Sequence, residues 1–192
     1  ATYTPGKKKE KKDNLEVPRI GIRFHIPQDM NIVEYFGRGP EENYIDRNAG
    51  SMVGRYKTIA DSMYVDYVRP QENGHRTDTR WVVLSDKSGR GLLVQAENTI
   101  GFNALRNTIE DFDAEDSSRP YQWRNRSPEE IENHDLDEAK NAMRKMTHVN
   151  DIIPRDFVEV CVDMKQQGVA GYDSWGAKVQ PGYTIPANQN YE

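Results

Sequence analysis

Alternating hydrophobic and polar positions give the first structural prediction, a β-protein. From Pro18 to Pro27 apolar residues occupy every second position, which is typical of a strand with one buried and one solvated face. The runs 80–85 and 91–97 flank a short turn that contains Gly89, and so predict an antiparallel hairpin. The same reasoning predicts strands at 32–36, 102–105, 157–164 and 182–186, whereas 55–67 fits neither a helical nor a strand period. The predicted class is an antiparallel β-sandwich.

Helical signals are confined to the stretch after the predicted hairpin. Ser127 and Glu130 form a capping box around Pro128, which suits a first helical turn. Apolar residues spaced by three and four from Leu136 to Met146 predict a second short helix. The acid-rich run 110–116 lacks the glycine spacing of an EF-hand, and we expect a solvated loop there.

Charge divides the chain into a short basic segment and an acidic body. Residues 7–12 carry a net charge of +4 and the remaining residues -9, within a total of -5. An acidic body argues against nucleic acid as a partner, because phosphate binding needs clustered Lys and Arg. Eighteen aromatic residues argue against general disorder. We therefore predict a strand remnant with a Lys-rich connection at 1–17 and one β-sandwich domain at 18–192.

Cysteine and hydropathy exclude several further classes of protein. Cys161 is the single cysteine, so no intramolecular disulfide can form, and its apolar surroundings predict a buried thiol. No apolar run reaches the eighteen residues needed to span a bilayer. The chain begins at Ala1 without methionine, from which we expect a piece of a longer protein. None of these features assigns the protein to a compartment.

Three stretches combine glycine, aromatic and charged residues in a way that packing alone does not require. The first, Tyr35–Arg47, is predicted to be a structured loop leaving the strand that ends at Phe36. The second, Tyr67–Arg76, contains Glu72-Asn73-Gly74, which suits a tight turn with positive φ. The third is Gly171–Gly176, with Asp-Ser-Trp at its centre.

In this order the three motifs resemble the C-terminal domain of family 2 β-galactosidases of the lac type. The resemblance covers roughly residues 18–175 and departs from the family between 113 and 154, where this chain has an additional charged segment. It also departs at Tyr172 and Gly176, where relatives often have Asp and Ser. The resemblance implies a galactose-mutarotase-like super-sandwich, incomplete in this chain, within a retaining hydrolase of terminal β-D-galactosides.

The resemblance also implies where the chemistry lies. In the family the catalytic glutamates and the Mg²⁺ ligands, with a Na⁺ site as a further expectation, belong to a (β/α)₈ barrel. A barrel needs about 200–250 residues or more with alternating strands and helices, so we expect no catalytic residue, cofactor or metal in this chain. The residue carried over is Trp175, whose matching tryptophan stacks on substrate at the active-site entrance. The expected partners are the remaining domains, the galactoside and a second copy that covers an open sheet edge.

Two other functions fit parts of the sequence. One is a small mutarotase-like epimerase with His75 as acid and Glu72 as base. The other is a free-standing carbohydrate-binding module that uses Trp175. For the first two motifs we expect a structural role, in which Arg76, Arg80, Glu41 and Asp46 join the loops by charge-assisted bonds.

Overall fold

A computed structural model describes residues 16–68, 70–112, 148–171 and 176–191. Within them the β-structure forms one six-stranded sheet in which every pairing is antiparallel, in the order β1-β6-β5-β4-β2-β3. The strands are β1 Arg19–Pro27, β2 Ile32–Gly39, β3 Met52–Ile59, β4 Arg76–Ser85, β5 Gly91–Leu105 and β6 Phe157–Gln166. The mainly antiparallel class predicted from the alternation is confirmed.

Strand lengths differ from the sequence prediction at three places. β2 continues to Gly39 and pairs with β3 along its whole length, so the first motif begins inside the sheet and not in a loop. β3 itself occupies part of the stretch to which the pattern assigned no element. The separate strand expected at 102–105 is the end of the fifteen-residue β5.

The last predicted strand, at 182–186, is wrong. Pro181–Tyr183 form a 3-10 turn, and Pro186 makes only an isolated bridge with Glu16. Pro181 and Pro186 lack the N–H donors that a strand ladder needs, which explains why the apolar run does not pair. The helices predicted between Ser127 and Met146 lie outside the described residues.

The core lies along the four inner strands. Val33, Tyr35, Val82 and Leu84 are fully or almost fully buried. β6 is buried from Val158 to Val162 without alternation, so both of its faces are covered. Cys161 is buried, as its apolar surroundings predicted, and its Sγ accepts from the Arg19 guanidinium at 3.4 Å.

The chain divides into two compact units. The first contains the described residues within Ala1–Val65, Asn73–Arg106 and Asp156–Glu192, and the second contains those within Asp66–Glu72 and Asn107–Arg155. The division at 17/18 stays a prediction. In the described residues no helix is long and apolar enough to cross a bilayer.

The described residues of the second unit include the short helix α1 Ile109–Phe112 and the 3-10 turn Val149–Asp151. The prediction of a solvated acid-rich loop is wrong at Asp111. Asp111 is buried and pairs with Arg155 at 2.5 Å, so it is not solvated. Burial raises the pKa of Asp111, but the bond from Arg155 and the N–H of Thr108 outweigh it and leave the pKa below its usual value. The acids at 113–116 lie outside the described residues.

Candidate functional site

The side chain of Asn43 connects the first motif to the second. It is fully buried, and its amide group donates to the carbonyl oxygens of Arg38 and Glu41 at 3.2 and 3.0 Å. Its oxygen accepts from the Thr77 N–H at 3.0 Å and from the Thr77 hydroxyl at 2.5 Å. The Asn43 backbone N–H donates to the His75 carbonyl at 2.8 Å. Asn43 therefore bonds the first motif, the end of the second motif at His75 and Thr77 just beyond it.

Glu42 forms a second connection between these motifs. One of its oxygens accepts from the Gly74 N–H at 2.9 Å and from the Tyr44 hydroxyl at 3.3 Å. The other pairs with Arg47 at 2.7 Å. Gly74 has φ of +71°, as expected for the tight turn, and a Cβ there would lie 2.8 Å from Leu105 Cδ2. The positive φ predicted in this stretch is confirmed at Gly74.

Asn43 and Glu42 join the two loops, whereas the sequence predicted that arginines and other carboxylates would do so. Arg76 donates to the Tyr35 hydroxyl at 3.3 Å and to the Gly74 carbonyl at 2.9 Å, while Arg80 donates to the Asp78 carbonyl. The prediction of Arg–carboxylate bridges through Glu41 and Asp46 is therefore wrong. The backbone N–H groups at the junction instead find their acceptors on Asn43 and Glu42. The sequence did contain a signal for this role of Asn43, because an asparagine that follows a glycine-rich turn often bonds nearby backbone groups.

His75 is enclosed where these motifs meet. It is 2% exposed, and its ring stacks on Tyr44 with centroids 5.5 Å apart. Burial, with Arg19 and Arg76 nearby, lowers the pKa of His75 to about 3. The imidazole is thus neutral at physiological pH and cannot serve as the proton donor that an epimerase mechanism would assign to it.

Asp46 links the first motif to the segment that leads into the third. Its Oδ2 accepts from the Ala170 N–H at 2.8 Å. Ala170 has φ of +56°, an uncommon value for a residue with a side chain. A Cβ on Gly168 would lie 2.4 Å from Asp46 Oδ2, so only glycine leaves room for this approach. The Gly168 N–H in turn donates to the Tyr183 carbonyl at 2.9 Å.

Trp175, the predicted substrate residue, lies outside the described residues. The glycines on either side of its motif are described, and Gly171 and Gly176 have φ of +79° and +80°. Such angles favour glycine and are typical of turns. The sequence reasoning missed the bond from the Ala170 N–H to Asp46, because it assigned that carboxylate to a different partner.

A cavity of about 330 Å³ opens beside these motifs within the first unit. Its walls come from the first motif and its following turn, from β4, β5 and β6, and from the 3-10 turn near the end of the chain. Among the described residues no group of three His, Cys, Asp or Glu is placed to hold a metal ion. The Mg²⁺ and Na⁺ expectations concern other parts of a parent protein and stay predictions.

Comparison with known proteins accounts for the three motifs. The family model described as "Beta galactosidase small chain" matches residues 2–192. The chain is 35% identical to a β-galactosidase of Priestia megaterium over 176 residues, which is 92% of this chain and 14% of the relative. It is 30% identical to a β-galactosidase of Streptococcus thermophilus over 176 residues, 91% of this chain and 14% of that relative.

The shares covered define what this chain represents. A β-galactosidase of Vibrio cholerae is 29% identical over 169 residues, which is 88% of this chain and 13% of the relative. The chain thus spans about 14% of the length of the curated relatives it matches. The resemblance inferred from the motifs is confirmed, and the chain belongs to the β-galactosidase small-chain family.

Proposed function

We propose that this chain is the C-terminal part of a family 2 β-galactosidase that hydrolyses terminal β-D-galactosides, of the lactose type, with retention of configuration. It contributes Trp175 to the active-site entrance, whereas the catalytic carboxylates and the Mg²⁺ site lie on other domains. Membership of the family and the name β-galactosidase that its relatives carry support the activity. The relatives are about seven times longer than the matched segment, which leaves room in them for the catalytic domains.

The observation that carries the role of Trp175 is the bond from Ala170 to Asp46. It ties the chain just before the Asp-Ser-Trp motif to the loop that also holds the second motif. A tryptophan that stacks on a sugar needs a fixed position, because its gain comes from the contact area between the indole and the sugar C–H groups. The bond from the Ala170 N–H to Asp46 supports such a position, because it fixes the backbone just before this motif.

The experiment uses the intact enzyme that contains this chain. Trp175→Ala should lower kcat/KM for a nitrophenyl β-D-galactoside by about two- to tenfold, because an aromatic contact contributes about 0.5–1.5 kcal/mol. Trp175→Phe should recover part of the loss. The matched control is Trp81→Phe, a partly buried tryptophan on β4 that lies against Arg55. Wild-type kinetics for Trp175→Ala would remove this residue from the site.

The rest of the parent also explains the edges of the sheet. β1 and β3 are the outer strands among the described residues, and β3 exposes Met52 at 71% and Val53 at 42%. We propose that further strands complete a mutarotase-like super-sandwich and cover part of this surface, with self-association as a second contribution. No nucleic acid or membrane partner is proposed, and the isolated chain should not hydrolyse galactosides.

The epimerase alternative loses its proposed acid. His75 is neutral and enclosed, so it lacks the proton and the access that the role requires. A free-standing binding module differs from the main proposal in one measurable respect. The isolated chain would then bind galactose through Trp175 without the other domains. Binding by the isolated chain that Trp175→Ala abolishes would favour the module.

A further inference from the structure

The cavity of about 330 Å³ described above has walls of mixed chemistry. The volume is near the lower end of the range for small-molecule sites, about 300–1,000 Å³. Hydrogen-bonding side chains come from several elements of the first unit, and apolar groups lie between them. The lining residues that matter here are Asn48, Thr77, Asp78, Thr99, Lys165 and Tyr183.

The polar wall is already held in place. Asn48 donates to the Thr77 hydroxyl at 3.2 Å, and Thr77 is itself fixed by Asn43. Asp78 pairs with Arg38 through one carboxylate oxygen at 2.5 Å, while its side chain is 39% exposed. Asn48 and Asp78 thus present polar atoms to the cavity from fixed positions, so little ordering would be needed when a ligand binds.

The backbone at Asp78 supports a role beyond packing. Asp78 has φ of +51°, and the β4–β5 register shifts between Arg76 and Thr79. Bulges and uncommon backbone conformations re-aim side chains and occur often at ligand sites. Here the bulge lies at the part of β4 that lines the cavity.

A buried histidine forms another part of the lining. His75 Nδ1 is enclosed without a hydrogen-bond partner among the described residues. A Cβ on Gly101, which also lines the cavity, would lie 2.3 Å from His75 Nε2, so glycine is needed at that wall. The nearest carboxylate oxygen to Nδ1 is Asp163 Oδ2, at 3.9 Å, and Asp163 does not line the cavity. His75 therefore shapes this wall by packing, and the hydrogen bonds to a ligand come from the other lining residues.

Charge limits the class of ligand. Among the lining residues Asp78 and Lys165 carry opposite charges, and His75 is neutral. Lys165 already lies 5.0 Å from the centre of the Tyr191 ring, and Asp78 already has Arg38. A phosphate or a free cation would thus find a balanced site. A neutral molecule with many hydroxyl groups and an apolar face suits the threonines and asparagine on one side and Ile100, Ile185 and Tyr183 on the other.

We propose that this cavity binds a single neutral sugar ring through Asn48, Thr77, Asp78 and Thr99, with Tyr183 and Ile100 against its apolar face. The site is built from described residues of the first unit and does not depend on Trp175. The cavity is therefore a second sugar-binding site in this chain, independent of the proposed stacking of Trp175 at the active-site entrance.

The test is methyl NMR on the intact enzyme with labelled methionine, titrated with D-galactose and separately with D-glucose. Met164 lines the cavity, and Met164→Leu assigns its signal. The Met164 signal should shift saturably with at least one of the two sugars. Thr99→Val keeps the shape but removes a hydroxyl, so it should weaken that binding about fivefold. Thr58→Val on β3, away from the lining residues, should have no effect.

Two results would overturn the proposal. One is a Met164 signal that stays unchanged with both sugars while galactose still inhibits hydrolysis, which shows that the enzyme is folded and accessible. The other is a shift that Thr99→Val leaves as strong as in the parent, because the ligand would then not contact this wall. Since Trp175→Ala should leave the Met164 titration unchanged, failure here is distinguishable from failure of the proposed stacking role.

Discussion

Replacing Asn43 by alanine tests the connection between the first two motifs. The substitution removes four side-chain hydrogen bonds, two donated to the carbonyls of Arg38 and Glu41 and two accepted from Thr77. It leaves the buried Thr77 N–H without an acceptor, which costs about 1–3 kcal/mol, and each remaining bond contributes about 1 kcal/mol net. Allowing for partial relaxation, we expect a local loss of about 3 kcal/mol, which corresponds to about a hundredfold in an equilibrium constant.

The assay is hydrogen–deuterium exchange of the intact protein, followed in peptides that cover the start of β4. Local opening there should become about a hundredfold more frequent in Asn43→Ala. The control is Asn31→Ala, because Asn31 makes one exposed side-chain bond to Asp61 at 3.2 Å while its carbonyl still accepts from Ala60. Equal exchange in the two variants would refute the reasoning and show that other contacts hold the junction.

Three further predictions concern separate parts of the fold. The folded pKa of Asp111 is below its unfolded value, so the stability that its pair with Arg155 supplies is present above about pH 4 and is lost as pH falls through the folded pKa. Acid unfolding monitored at α1 should show this loss of stability. Asp111→Asn should flatten the pH dependence. Gly74→Ala should destabilise the protein by at least about 1–2 kcal/mol in thermal unfolding, because it combines a positive φ with a clash against Leu105, and a neutral result would contradict the turn geometry. Cys161 should react with a thiol reagent only after denaturant is added, and rapid labelling of the native protein would contradict its burial.

The alternation of apolar residues predicted the strands with a strong local pattern and missed β3, which depends on its partner. β1, β6 and the β4–β5 hairpin carry local patterns strong enough to place them. β3 has weak alternation in its sequence, and its existence depends on pairing with β2. The apolar run near the end of the chain failed because prolines remove donors, a local rule that outweighs hydrophobicity there.

The candidate site was predictable in its motifs but not in its connections. Residue types and order were sufficient to identify the family. The choice of Asn43 over Arg76 as the link, and of Ala170 as the partner of Asp46, depends on where the strands bring backbone groups together, which one sequence does not encode locally. The burial of His75 was also not predictable from local sequence, since it follows from the packing of Tyr44 and Gly101 around the ring.

The measurement that tests the central claim most directly is a double-mutant cycle between Asp46 and Trp175 in the intact enzyme. Asp46→Ala removes the acceptor for the Ala170 N–H, whereas Asp46→Asn keeps an oxygen there and should retain more activity. If Asp46 positions Trp175, the double variant Asp46→Ala/Trp175→Ala should lose no more kcat/KM than Trp175→Ala alone, with the fold verified by circular dichroism. Losses that simply add would contradict the account, because Asp46 and Trp175 would then act independently.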